Sequence, residues 1–97
     1  MTRNKMASGH SINCLVSLGM FSDERTILID LLNHDMAVAF VDKRHVVAKA
    51  EPEPGKSVPG RVKVRLVAKK SNSAIVDLPQ PTLTSGPRIE VPVGLLR

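Results

Sequence analysis

The amino-acid sequence predicts an all-β protein, a small barrel or two-layer sandwich of about six short antiparallel strands, and three observations carry that expectation. Twelve Val and five Ile stand against two Phe, no Tyr and no Trp in 97 residues, so the core must come from branched aliphatic side chains, which favour strands. Apolar residues recur with period two in successive segments, and none sustains a helical period. Clusters of Gly, Pro, Asn, Asp and Ser separate these segments at short intervals. The length suits one domain, and 42% hydrophobic with 24% charged residues is ordinary globular composition.

Residues 1–10 read as a flexible N-terminal tail and 11–97 as the single β domain. Arg3 and Lys5 precede an apolar stretch, but Asn13 and Ser17 interrupt it and no small-x-small cleavage site follows, so no signal peptide is expected. From Ser11 to Leu18, Ile12, Cys14, Val16 and Leu18 share one face, the pattern of a half-buried strand. Gly19 to Arg25 is a loop. Thr26 to Leu31 then alternates with Ile27, Ile29 and Leu31 inward, and Asn33, His34 and Asp35 mark a turn into Met36 to Val41. Pairing Leu31 with Met36 across four residues sets Ile29 against Val38 and Ile27 against Phe40, with all of these inward.

The segment from Ala48 to Gly60, AKAEPEPGKSVPG, holds three prolines and two glycines and reads as a long loop or hinge that ends any ladder. Arg61 to Lys69 is the clearest strand. Val62, Val64, Leu66 and Ala68 face one way, and Arg61, Lys63, Arg65 and Lys69 the other. A three-residue turn with Asn72 left-handed would place Ala68 opposite Ala74, Leu66 opposite Val76 and Arg65 opposite Asp77. A second irregular loop spans Pro79 to Pro87, Arg88 to Val91 is a short last strand, and Pro92 leads into a helical or 3₁₀ turn that tucks Leu95 and Leu96 under the sheet.

The string IEVPVGLLR, preceded by the hairpin VKVRLVAKKSNSAIVDL, resembles the closing section of SH3-like small barrels: a strand, a tight helical turn beginning near proline, and a short final strand. The resemblance covers the last third of the chain, where only Arg97 follows Leu96. It implies a small barrel and leaves function open, because that superfamily includes nucleic-acid binders, peptide binders, ribonuclease toxins and a reductase with a site between protomers. The peptide-binding version is disfavoured by the lack of groove aromatics.

The net charge of +5 is unevenly placed. Residues 1–48 balance five basic against five acidic side chains, so the whole excess lies in the second half, and no acidic residue occurs from Lys56 to Val76. Arg61, Lys63, Arg65, Lys69 and Lys70, with Lys43 and Arg44, form the candidate surface for nucleic acid or another polyanion. The alternative is a solvated outer face whose charges deter edge pairing. With so few aromatics, any grip on nucleic acid must rest on charge and shape rather than base stacking.

Two other readings stay open. Met20 and Phe21, expected at the barrel mouth, would with the 79–87 loop form a protein-interaction or assembly surface if exposed. Alternatively, His45, with Asp42 as orienter and Arg44 beside it, could serve a small ribonuclease-like toxin, although no nucleophile or second catalytic group is tied to it by spacing. His34 reads as a turn residue, and Cys14 as a small core residue in a chain with no second cysteine for a disulfide or a zinc knuckle. No catalytic residue, metal site or cofactor is assigned. The sequence is read as a cytoplasmic, non-enzymatic binding module, a homo-oligomer, without a membrane span.

Overall fold

Seven strands and two 3₁₀ turns account for the regular structure of the computed structural model, which describes residues 9–84 and 86–97. In chain order these are β1 (His10–Leu18), β2 (Glu24–Asp30), β3 (Met36–Asp42), a 3₁₀ turn at Lys43–His45, β4 (Val46–Ala48), β5 (Val58–Lys69), β6 (Ser73–Asp77), β7 (Arg88–Pro92) and a 3₁₀ turn at Val93–Leu95. The fold is all-β. The tail expected over 1–10 lies outside the described residues as far as residue 8, and His10 already belongs to β1. No helix among the described residues is long and apolar enough to cross a membrane.

The strands run antiparallel in the spatial order β3-β2-β1-β5-β6-β7. The long strand β5 organises them. Its residues Val58–Val64 pair with β1, while β4 and β6 take its other edge, β4 at Gly60–Val62 and β6 at Arg65–Lys69. The sheet curls into a half-barrel, and three connections draw its ends together. Leu32 N–H donates to Glu90 O (3.0 Å), joining the β2–β3 turn to β7. The 79–87 loop docks on the free edge of β3, with Thr82 opposite Ala39 and Leu83 N–H donating to Val38 O (2.9 Å). At the C-terminus Leu96 lies opposite Ile12, and Ser11 and Arg97 exchange two backbone hydrogen bonds of 3.1 and 2.7 Å. The 3₁₀ turn after Pro92 places Leu95 and Leu96 half-buried against the core, as the closing sequence predicts, and the short final strand is reduced to this pairing.

The core is entirely aliphatic. Ile12, Val16, Ile27, Ile29, Val41, Val62, Val76 and Val91 are fully buried, each burial stabilising by roughly 1.5–3 kcal/mol before entropy is charged against it. Cys14 joins them, and burial pushes its thiol up to about 12.

Three local expectations are corrected. The β2–β3 hairpin is shifted by one residue, with Asp30 opposite Met36, Ile29 opposite Ala37 and Ile27 opposite Ala39. Ala37, Ala39 and Val41 therefore face the core, while Met36, Val38 and Phe40 face outward. Asp30 stays exposed because the shift turns over β3 and leaves β2 as its own alternation sets it.

The proposed 48–60 loop shrinks to residues 49–57, since both its ends are strand. Pro59 is tolerated because it pairs with β1 alone, and β4 begins beside Gly60. Gly60 is required there. A Cβ on it would sit 2.8 Å from both Val16 Cγ2 and the Val47 carbonyl oxygen.

In the β5–β6 hairpin Arg65 does face Asp77 and Leu66 faces Val76, but a bulge between Leu66 and Ala68 moves Ala68 opposite Ile75. Among the described residues the one non-glycine with positive φ is His34 (φ 73°), in the β2–β3 turn, so Asn72 is not left-handed.

Candidate functional site

Strand β5 presents its charges as its alternation requires. Val62 is buried, and Arg61, Lys63 and Arg65 are exposed on the opposite face. The bulge interrupts the pairing beneath this row: Lys69 is exposed but comes opposite the buried Ala74, out of register with Arg65 opposite Asp77. Two of the remaining charges are engaged within the protein. Asp77 Oδ1 accepts from Arg88 Nε at 2.8 Å, and its Oδ2 accepts from Arg88 Nη2 and Arg65 Nη2. The hydrogen bonds from Arg88 and then Arg65 hold the Asp77 carboxyl down at about 2. Lys70 Nζ lies 3.5 Å from Glu90, whose carboxyl is lowered first by the hydrogen bond from Ser73 Oγ and further by Lys70.

Arg61 and Lys63 have no acidic partner among the described residues, and the fold adds cations beside them. Ser11 lies opposite Lys63 and Asn13 opposite Arg61, and the Ser11 to Arg97 pairing brings the last residue to the same outer surface. Next to this row a trough of about 680 Å³ is lined by Asn13, Val47, Lys49, Pro59, Arg61 and Arg97, among others, with no Asp or Glu side chain in its lining. Lys49 and Arg97 carry no sequence signal of their placement, because β4 and the terminal pairing that position them are two or three residues long.

Lys43 and Arg44 lie elsewhere. They occupy the 3₁₀ turn and line a second hollow, on the other side of β4, with Arg25. Asp42 does not orient His45: its Oδ1 accepts the Arg44 backbone N–H at 2.9 Å and so caps the turn.

Met20 and Phe21 do not cover the core. They are 83% and 68% exposed, and Phe21 and Phe40 line one hollow with Gln80. Both phenylalanines thus lie on the outer surface of the hairpin region, away from the basic trough. Phe40 is outward because the register gives the three inward positions of β3 to Ala37, Ala39 and Val41. Leu83, 61% exposed in the 79–87 loop, sits on the same edge of β3.

Comparison with protein-family models, with curated proteins and with solved structures returns no match to this chain.

Proposed function

We propose that the chain is a small binding module that holds the phosphodiester backbone of nucleic acid in the trough between β1, β4 and β5. The observation that carries this reading is a lining with no Asp or Glu side chain: Arg61, Lys49 and Arg97 border one hollow, and Lys63 continues the row along β5. Residues two apart on one face of a strand are about 7 Å apart, a spacing that lets Arg61 and Lys63 meet neighbouring phosphates. Asn13 and Ser11 add neutral polar groups on the same surface, suited to phosphate or sugar oxygens. The exposed aromatics lie on another region, so the grip has no stacking component and reads backbone charge rather than base identity. The buried thiol suits the reducing, cytoplasmic setting expected from a single cysteine. The charge reversals Arg61→Glu and Lys63→Glu together are expected to weaken binding to duplex DNA or RNA by about 100-fold at low salt. Unchanged affinity in that variant rejects the trough.

A second reading draws on the exposure of Phe21, Phe40 and Leu83: the hairpin region serves as an assembly surface for a protein partner or for a second copy of the chain. Sedimentation and cellular function both altered by Phe21→Ser, with the Arg61 and Lys63 reversals silent in the same assays, would favour it.

A further inference from the structure

The hollow on the far side of β4 contains the one buried charged residue among the described positions. Arg25 occupies an inward-facing site on β2, in line with Ile27 and Ile29, where the aliphatic core gives way to an opening of about 570 Å³. Its side chain is 9% exposed. A guanidinium buried this far must be compensated or the fold is penalised heavily.

The compensation is partial. Nη1 donates to the Ser22 and Glu24 carbonyl oxygens at 3.1 and 3.0 Å. Nη2 donates to Glu51 Oε1 at 3.2 Å, a single contact in place of the two-pronged pairing that guanidinium and carboxylate favour. Nε–H and one Nη2–H have no acceptor among the described residues. Glu51 itself stands on the 49–57 loop with its side chain 84% exposed, so water competes for that contact at every moment. Lys43, Arg44 and Lys49 also line the hollow, against Glu51 and Asp42, and one Asp42 oxygen is already held by the Arg44 backbone N–H.

We infer that this hollow is a phosphate site in which the Arg25 guanidinium binds a phosphate monoester and Glu51 is the placeholder that the incoming phosphate displaces. A tetrahedral oxyanion offers adjacent oxygens to Nε–H and Nη2–H as a fork, and Lys43 and Lys49 supply further charge. The hollow is larger than a phosphate, leaving room for the group that carries it. Because Ala48, Lys49 and Ala50 line both hollows, a strand lying in the trough could deliver its terminal phosphate here, and so could a free phosphorylated small molecule. The site does not require the trough to bind nucleic acid.

The test is an NMR titration of the full chain with inorganic phosphate at constant ionic strength, following the amides of residues 25 and 43–51 and the Arg25 Nε–H. The expected result is a saturable shift confined to these groups. Glu51→Gln, which removes the competing charge, should tighten binding by about fivefold, and Lys43→Ala should weaken it by about threefold. No saturable shift overturns the inference. So does a Glu51→Gln variant with lowered thermal stability and unchanged phosphate affinity, since Glu51 is then only a latch for the loop. Oligonucleotides with 5′-phosphate and 5′-hydroxyl ends separate the sources: a gain from the phosphate assigns the site to a strand terminus, and equal affinity alongside saturable inorganic phosphate assigns it to a free phosphorylated compound. Arg61→Glu with Lys63→Glu should leave the inorganic phosphate titration intact, so failure of the trough reading and failure of this one give different results.

Discussion

The outer surface of this sheet has two halves of opposite character. Along β5 it carries Arg61, Lys63 and Arg65, whereas across β3 it carries Met36, Val38 and Phe40, flanked by Asp23, Asp30, Asp35 and Asp42. Both strands alternate, but only β5 alternates between charged and apolar side chains. In β3 every residue from Met36 to Val41 is apolar, and its faces differ only in that two of the three inward positions are alanines. Polarity is an unambiguous signal for inside and outside, whereas size depends on how close the opposite wall of the barrel stands. The basic face is therefore dictated by local chemistry, and the apolar face by the tertiary space left for β3.

The widest separation between the halves is expected in nucleic-acid affinity. Against the roughly 100-fold loss from Arg61→Glu with Lys63→Glu, Phe21→Ser with Phe40→Ser should leave binding within about twofold, measured side by side at one salt concentration. A comparable loss from both pairs would erase the functional distinction between the faces.

Next come two substitutions that probe the packing beneath each half. Ala39→Leu should destabilise by about 1–3 kcal/mol in denaturant unfolding, because Ala39 is fully buried, while Phe40→Ser should stay within about 0.5 kcal/mol. The reverse order would restore the register in which Phe40 faces the core. Under the basic half, Gly60→Ala forces a methyl against Val16 and the Val47 carbonyl and should lower the melting temperature by about 5–15 °C, with β4 and the trough displaced together.

A smaller effect follows pH. Arg88 and Arg65 hold the folded Asp77 carboxyl at about 2, below its ordinary value near 4, so the pairing adds stability above the ordinary carboxylate range. That contribution is lost as pH falls from about 4 towards about 2. Glu90 is shifted in the same direction by Ser73 and Lys70. Asp77→Asn should flatten the acid limb of stability against pH and leave the apolar half unaffected. An unchanged acid limb would remove Asp77 from the account.

Much of the architecture could be read from the residues. The edges of β1 and β7 follow alternation and turn chemistry to within a residue, and the Arg65 to Asp77 pair follows from register alone, whereas β2 starts at Glu24 and so takes Glu24 and Arg25 from the expected loop into the strand. The closing turn after Pro92 was legible because proline fixes where the strand must stop. Strand β4 was not: three residues cannot display a period, and its partner segment begins with Val58-Pro59-Gly60, which read as a breaker. The bulge at Val67 was equally hidden, since two apolar residues in a row look like noise in an alternating strand. At the candidate site, Arg61 and Lys63 were visible as a row. Lys49, Arg97 and the buried Arg25 join their hollows only through long-range pairing and loop closure, for which a single sequence offers no local signal.

The central claim is that the trough binds a phosphodiester backbone through charge, and the salt dependence of affinity tests it most directly. Measured on duplex DNA from about 50 to 200 mM salt, log affinity should fall linearly with log salt with a slope of about −3, as expected for three or four neutralised phosphates. A slope near zero, or no binding at the lowest salt, would contradict it.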